Sequence, residues 1–466
     1  MTTTLALLVD LAAIVLLIAG ISMFRAPQRA RLGNLVAALA LTVAVVLVLR
    51  RHNVTGLPLV LTGVAAGTIL GWIVAVRVTM IQIPAMIAFQ HGAGGVAAFL
   101  IAFVELTRSA GALTPVTRFS GILGLAIGAA TFSASMVASG KLAAKLRSAP
   151  VSLRFHNGWL WLCAAFIVGA GIALLLEPAS GAPAYAAGII IVAAAAGILF
   201  SIRVGGADMP VLISFLNATA GLAAAFCGVT LENRLLIAFG AVVAASGSVL
   251  TLVMCRAMNR DLLKVFAGFT PAAAPAGAAP EHHEPKSPGV PPEDPFLAAV
   301  DALKEAESVI IVPGYGMALA KAQFKVVELA GLLERQGKQV RFAIHPVAGR
   351  MPGHMHVLLA EADLDYEQIF DMADINGDFA STDAVLVVGA CDVVNPAAMT
   401  VEGCPISGMP ILLAHEAKRV IVCNLDSRPG YSGVENPLYE SEKAVLLWGD
   451  ASDSVSQLVT RVGGEA

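Results

Sequence analysis

The sequence predicts two folds in one chain. An α-helical polytopic membrane domain of about nine transmembrane helices comes first, and a C-terminal α/β domain built on a doubly wound parallel sheet follows. Three observations predict this. Roughly the first 265 residues are almost continuously apolar, with charged residues sparse as far as Phe266. Residues 267–292, AGFTPAAAPAGAAPEHHEPKSPGVPP, are dominated by Ala, Pro and Gly and keep no apolar periodicity, which is the composition of a tether. From Asp294 onward charge returns, and short β-type runs alternate with helical patterns. The limits are read as 1–265 for the membrane domain, 266–293 for the linker and 294–466 for the α/β domain.

Composition supports the division. The 466 residues are 57% hydrophobic and 14% charged, with mean hydropathy +0.78, whereas ordinary globular domains are about 25% charged. A net charge of −3 argues against a nucleic-acid partner. The six cysteines form no CxxC pair, so neither a zinc site nor a disulfide framework is implied. His282-His283-Glu284 reads as part of the solvated tether. The N-terminal MTTTLALLVDLAAIVLLIAG lacks a basic leader and carries Asp10, so it is read as a retained span.

A span needs roughly 20 apolar residues. The candidates are 4–24, 33–50, 56–76, 83–105, 119–139, 158–176, 184–202, 209–229 and 234–255. An odd number of crossings puts the two ends on opposite sides. The connections at 25–31, 77, 141–154, 203 and 256–264 carry twelve Lys and Arg, against five at 50–51, 108–118 and 234. Basic residues concentrate on the cytoplasmic side, which places the C-terminal domain there.

Polar groups inside these spans are few, and each is costly in hydrocarbon. His91, in FQHGAGG, lies about nine residues into the fourth span, roughly 12–13 Å deep. It admits two readings, a structural histidine bonded to a neighbouring helix or a proton relay. Asn217, in LISFLNATAG, reads as helix-packing glue or as part of the same path. Asp208, at the start of the eighth span, reads as a helix cap or as a proton exit.

In the tail a helix at Pro295–Ala306 precedes the strand Val309–Val312. The glycine turn Gly314-Tyr315-Gly316 then opens a helix from Met317 to about Gln336. A strand ending in glycines before a helix aims backbone N–H groups at a pyrophosphate. A strand at Gln339–His345 and the loop VAGRMPGHM follow, then helical stretches at Val357–Ala362 and Tyr366–Asp374. Strands at 384–390, 419–425 and 444–449 and a terminal helix complete the pattern. Ligands of such Rossmann-like sheets bind beyond the carboxyl ends of the strands. GYGMAL departs from GxGxxG because Leu319 fills the last small position. The second strand ends in Ala343-Ile344-His345, without the acid that usually reads an NAD ribose. NADP, or an unusual cofactor pose, therefore stays open, with Arg350 as the candidate phosphate ligand or else a surface arginine. His354 and His356 read as loop packing.

The runs RVGGADMPVLISFLNATAG, MCRAMNR, PGYGMALAKAQ, HPVAGRMPGHM, VLLAEADLDYEQIFDMADINGDFA, VVGACDVVNPAA and GYSGVENPL are collinear along the chain. Together they resemble the beta subunit of the proton-translocating nicotinamide nucleotide transhydrogenase family. The resemblance implies hydride transfer between NAD(H) and NADP(H), coupled to proton movement across a bacterial inner (plasma) membrane. It implies an alpha partner bearing the NAD(H)-binding domain and extra membrane helices, in a dimer of alpha–beta units. It places His91, Asn217 and Asp208 on the proton path and its coupling. It places NADP(H) on the tail, in an orientation reversed from ordinary Rossmann domains. The implied cofactor residues are Gly314, Tyr315, Gly316, Met317 and Ala318 after the first strand, and Ala348, Gly349, Arg350, Met351 and Pro352 after the second. Gly389, Ala390, Cys391, Asp392 and Asn395 follow the next, and Asn424, Leu425, Asp426, Arg428, Gly430 and Tyr431 the next again. The chain departs from the family at Asn424-Leu425-Asp426, where a Lys-Arg-Ser run for the 2′-phosphate is usual, so NAD(H) is the alternative occupant. Cys391 and His356 stand where Asn is usual. A second function class is a membrane transporter or sensor whose tail binds a dinucleotide as regulator.

Overall fold

The computed structural model describes residues 3–23, 27–51, 56–108, 113–147, 150–176, 181–205, 208–267, 294–351, 353–402 and 404–464. Most of the linker, with His282, His283 and Glu284, lies outside the described residues, as does Pro352. The chain folds as two compact units. One is Met1–Val204 with Leu212–Thr251, and the other is Gly205–Val211 with Leu252–Ala466.

Among the described residues nine helices are long and apolar enough to cross a membrane, as the hydropathy pattern predicts. They are α1 (Thr3–Ser22), α2 (Pro27–Arg51), α3 (Leu57–Arg77), α4 (Ile83–Arg108), α5 (Pro115–Leu142), α6 (His156–Leu176), α7 (Ala182–Ile202), α8 (Met209–Thr230) and α9 (Arg234–Ala257). The protein is a multi-pass membrane protein. Small residues let the first unit pack backbone against backbone. A Cβ at Gly95 of α4 would stand 2.7 Å from the Gly128 carbonyl of α5, and one at Gly128 would stand 2.9 Å from the Gly95 carbonyl. Around that contact Ala98, Leu106, Leu125, Ile189 and Cys227 form one apolar core. Asp10 is buried in α1, and Arg51 at the end of α2 answers it at 2.6 Å.

A short helix, α10 (Leu262–Ala267), belongs to the second unit, as does α11 (Pro295–Glu305). Then come β1 (Ser308–Pro313), α12 (Tyr315–Leu319), α13 (Gln323–Arg335), β2 (Gln339–Ile344), α14 (His354–Glu361), β3 (Ile369–Asp371), α15 (Met372–Ile375), β4 (Ala384–Val388), α16 (Ala397–Thr400), β5 (Arg419–Asn424), β6 (Ala444–Trp448) and α17 (Ala451–Gly463). All strand pairs are parallel, in the order β3-β2-β1-β4-β5-β6. This is the Rossmann-like doubly wound sheet that the alternating pattern predicts. Alternate residues face opposite ways along a strand. Ile310 and Val312 accordingly share one core with Phe379, Val385 and Leu412. Asp383 ties the sheet at its lower edge, accepting from the Ser308 amide at 3.0 Å and from Lys418 Nζ at 2.7 Å.

Two expectations are corrected. The helix read from Met317 to Gln336 is broken. Lys321 takes φ 53°, and the Ala322 amide donates back to the Met317 carbonyl, closing α12 before α13 begins. The stretch Tyr366–Asp374 is not a helix throughout. It holds a 3-10 turn (Tyr366–Gln368), the edge strand β3 and the start of α15. β3 pairs with β2 through Phe342↔Ile369, so the sheet has six strands where the sequence suggested five.

Candidate functional site

The order of the strands reverses between β1 and β4, and the two loops that leave there are pressed together. The Gly314 amide donates to the Val388 carbonyl and the Gly316 amide to the Gly389 carbonyl, both at 2.8 Å. Gly389 takes φ 66°, and a Cβ there would collide with the Met317 amide nitrogen. Two of the N–H groups expected to face a pyrophosphate are therefore spent on β4. Met317 and Ala318 point into the core and are fully buried. The glycines serve close packing.

Arg350 lies on the loop after β2. Its guanidinium carbon lies 4.5 Å from the Tyr315 ring centroid and 5.1 Å from that of Tyr431, and its Nη2 donates to the Tyr431 hydroxyl. Such stacking orients the planar fork while leaving its edge free for oxyanions. Arg350 Nε is buried without a partner among the described residues. His354 packs behind Tyr315, and its Nδ1 accepts from the Arg350 amide at 3.2 Å. Burial and the neighbouring guanidinium hold its imidazole down at about 4. Gly349, at φ 105°, gives the room that His354 occupies. Ala348 and Met351 are buried beneath this loop.

The loop after β4 is joined to the loop after β5. Asp392 accepts from Ser432 Oγ at 2.6 Å and from the Ser432 amide at 3.0 Å. Burial pushes its carboxyl up, and these bonds oppose the shift. A side chain at Gly430 would strike the same carboxylate at 2.8 Å. Asn395, read as a cofactor residue, is fully buried. Its amide holds the Glu435 carbonyl at 3.1 Å, so it supports the rim from beneath. Ala390 is buried, and its carbonyl accepts from Asn424 Nδ2 at 2.8 Å. Burial raises the half-buried Cys391 thiol. Leu425 and Tyr431 are exposed, and Asp426 pairs with Arg428 at 3.2 Å. The sequence reading missed Ser432 and Tyr439, whose hydroxyl accepts from Asn424 at 2.8 Å. Ser432 had one signal, its place two residues beyond Gly430.

In the membrane unit, Cys227 of α8 donates to the Ala98 carbonyl of α4 at 3.2 Å, which fixes the relative height of the two helices. Three spans separate them in sequence, so they run in the same direction. His91 and Asn217 then lie about 10 and 15 Å from that contact, both toward their helix N-termini. Residues beside each of them in sequence meet α5. A Cβ at Gly92 would stand 3.1 Å from Ser135, and Thr131, one turn earlier, donates to Thr219 at 3.0 Å. Asp208 stands just before α8. It is buried, and the Arg260 Nε lies 3.7 Å away, a partner that sequence alone did not reveal. Burial raises the Asp208 carboxyl, and Arg260 opposes the rise.

The rim of this sheet fits a dinucleotide: a glycine crossing at the switch point, a stacked guanidinium and buried polar atoms still lacking partners. Comparison with known proteins agrees. A sequence-family model described as NAD(P) transhydrogenase beta subunit matches residues 6–461. The NAD(P) transhydrogenase subunit beta of Rhodospirillum rubrum is 38% identical over 469 residues, covering 98% of this chain and 99% of its own length. A second sequence of that name, from a designated strain of the same organism, matches to the same extent. The chain belongs to the NAD(P) transhydrogenase beta subunit family.

Proposed function

We propose that this chain is the dinucleotide-holding and proton-conducting subunit of a proton-translocating transhydrogenase of the Re/Si-specific type, active only with an alpha partner. The observation that carries the reading is the β1/β4 rim, where Arg350 lies over the adjacent rings of Tyr315 and Tyr431 beside the glycine crossing. The alpha partner supplies the NAD(H)-binding domain and further membrane helices. The assembly is a dimer of alpha–beta units in the bacterial inner membrane. Residues 1–265 carry the proton, 266–293 link, and 294–466 hold the dinucleotide on the cytoplasmic side.

Bound nicotinamides supply the hydride chemistry, NADH + NADP+ giving NAD+ + NADPH, with one hydride moved and no catalytic acid needed. In the family pattern NADP(H) sits on this chain, and the groups at the end of β5 decide which dinucleotide the rim accepts. Arg350 binds and orients the pyrophosphate. Asp392 holds the loop around Ser432, which would help to retain the dinucleotide. In the membrane, His91 takes up and releases a proton at a ring nitrogen, with Asn217 at a similar depth as a hydrogen-bonding neighbour. Coupling requires one two-state element biased by both the proton site and the dinucleotide. Asp208, at the entry of α8 and balanced by Arg260, is suited to that role.

The test is His91→Ala, co-expressed with the alpha partner in inverted vesicles. Dinucleotide-driven quenching of a ΔpH dye is lost, while dinucleotide affinity stays near that of the unaltered protein. Retained proton pumping removes His91 from the path.

A further inference from the structure

The ribose-reading end of a dinucleotide site needs acceptors for hydroxyls or cations for a phosphate. At β2, the usual place, neither is on offer. His345 is 1% exposed, its Nε2 lies 2.8 Å from the Pro410 carbonyl, and its Nδ1 accepts from the Val347 amide at 3.2 Å. Both ring nitrogens are committed. Arg350, further along that loop, is the cation already assigned to the pyrophosphate.

The end of β5 is different. Asn424 is 8% exposed, and its Nδ2 donates both to the Ala390 carbonyl and to the Tyr439 hydroxyl, each at 2.8 Å. The carbonyl fixes the amide orientation, because a flip would set two acceptors against each other. Asn424 Oδ1 is thereby left buried with no partner among the described residues. Two residues on, Asp426 accepts from the Arg428 amide at 3.0 Å and faces Arg428 Nε at 3.2 Å. A carboxylate has about four lone-pair positions, so acceptor capacity remains. Leu425, between them, is exposed and apolar. The strand end thus holds acceptors, a buried one at Asn424 and a partly exposed one at Asp426, and the exposed Arg428 engages Asp426 through its Nε.

A 2′-phosphate carries close to two negative charges and only acceptor oxygens. Against Asn424 Oδ1 and Asp426 it finds no donor, and a carboxylate repels it. A ribose hydroxyl is a donor and satisfies either group. We infer that the end of β5 reads an unphosphorylated adenosine ribose, so that this chain selects NAD(H) over NADP(H). The inference rests on the dinucleotide reading of the rim and specifies the ligand of that same site. With NAD(H) here, the hydride passes between two NAD(H) molecules, NADH + NAD+ giving NAD+ + NADH, in place of the exchange with NADP(H) that the family pattern supplies.

The full chain in detergent, titrated calorimetrically with NADH and with NADPH, tests it. The expected result is NADH binding at least tenfold tighter than NADPH. Asp426→Asn keeps the turn to the Arg428 amide, removes the charge and narrows that ratio several-fold. L425R/D426S introduces a cation, removes the anion and reverses the preference, with thermal stability measured alongside to establish folding. Equal or tighter binding of NADPH by the unaltered chain overturns the inference and leaves the dinucleotide reading intact. Binding of neither overturns both.

Discussion

The crossing of β1 and β4 at Gly389 makes a prediction whose sign is set by backbone geometry. Replacing Gly389 by Ala puts a side chain at φ 66°, which costs an L-residue about 1–2 kcal/mol. The new Cβ meets the Met317 amide nitrogen and stands 2.5 Å from Gly316 Cα, both backbone atoms that no rotamer change relieves. Such overpacking costs about 1–3 kcal/mol. Moving the loop to relieve it lengthens the 2.8 Å bond from the Gly316 amide to the Gly389 carbonyl, at about 1 kcal/mol. The expected loss is about 2–5 kcal/mol, or roughly 5–15 °C in the unfolding of the α/β unit. Cys423, fully buried on β5, reports that unfolding through a thiol-reactive dye. Gly331→Ala is the matched control. Gly331 lies within α13, and a Cβ there meets nothing within 4 Å, so the same change stabilises by up to about 1 kcal/mol. Equal melting temperatures for G389A and G331A would refute the crossing as a tight backbone contact. Dinucleotide affinity should fall with G389A alone.

Three further outcomes follow from individual side chains. Lys141 of α5 donates to the carbonyls of Ser201, Ile202 and Val204 at 3.2, 2.7 and 2.6 Å, capping the end of α7. Lys141→Met removes this shared donor, although Ser201 and Ile202 keep the Val204 and Val151 amides, and the detergent-solubilised protein should lose about 1–3 kcal/mol, seen as a lower melting temperature. Burial holds the His345 imidazole at about 4, while its bond to the Pro410 carbonyl pulls the other way. The unfolded chain binds this proton near pH 6.5 and the folded chain only near 4. Stability therefore falls as pH drops from about 6.5 to 4, by up to about 1.4 kcal/mol per pH unit, and a flat profile across that window contradicts the burial. Asp392→Ala releases Ser432 and its loop, and dinucleotide dissociation measured by stopped flow should accelerate about tenfold.

Much of the fold is legible because burial leaves long signals. Nine apolar runs become nine helices, and β1, β4 and β5 are apolar runs ended by Gly, Pro or Asn. β3 is not legible, since Ile369-Phe370-Asp371 is too short and too exposed to show a period. The break at Lys321 is hidden for the opposite reason. Ala320, Lys321, Ala322 and Gln323 are all strong helix formers, and tertiary packing overrides them. Within the site, Arg350 and the glycines announce themselves by type. Ser432 and Tyr439 do not, because their value depends on Asp392 and Asn424, 40 and 15 positions away in sequence. Asp208 was visible as a misplaced acid, whereas Arg260 passed for an ordinary loop charge until the two stood 3.7 Å apart.

The division of labour at the rim follows from one geometric fact. Because the Gly314 and Gly316 amides are spent on β4, two backbone dipoles that could have answered a pyrophosphate cannot. The task falls to the guanidinium of Arg350, which is long and carries a large side-chain entropy. Tyr315 on α12 and Tyr431 beyond β5 form the adjacent rings that it lies over, so the cation is fully ordered only when both are in place. The proposed anion site thus draws on three loops, after β1, β2 and β5, and Asp392 on the β4 loop ties the β5 loop through Ser432. Opening the β5 loop withdraws one stacking partner from Arg350 and the ribose-reading end of β5 together. Release of the dinucleotide should therefore be a single cooperative event. Tyr431→Ala should raise the dissociation rates of a dinucleotide and of its isolated ADP-ribose half by the same factor.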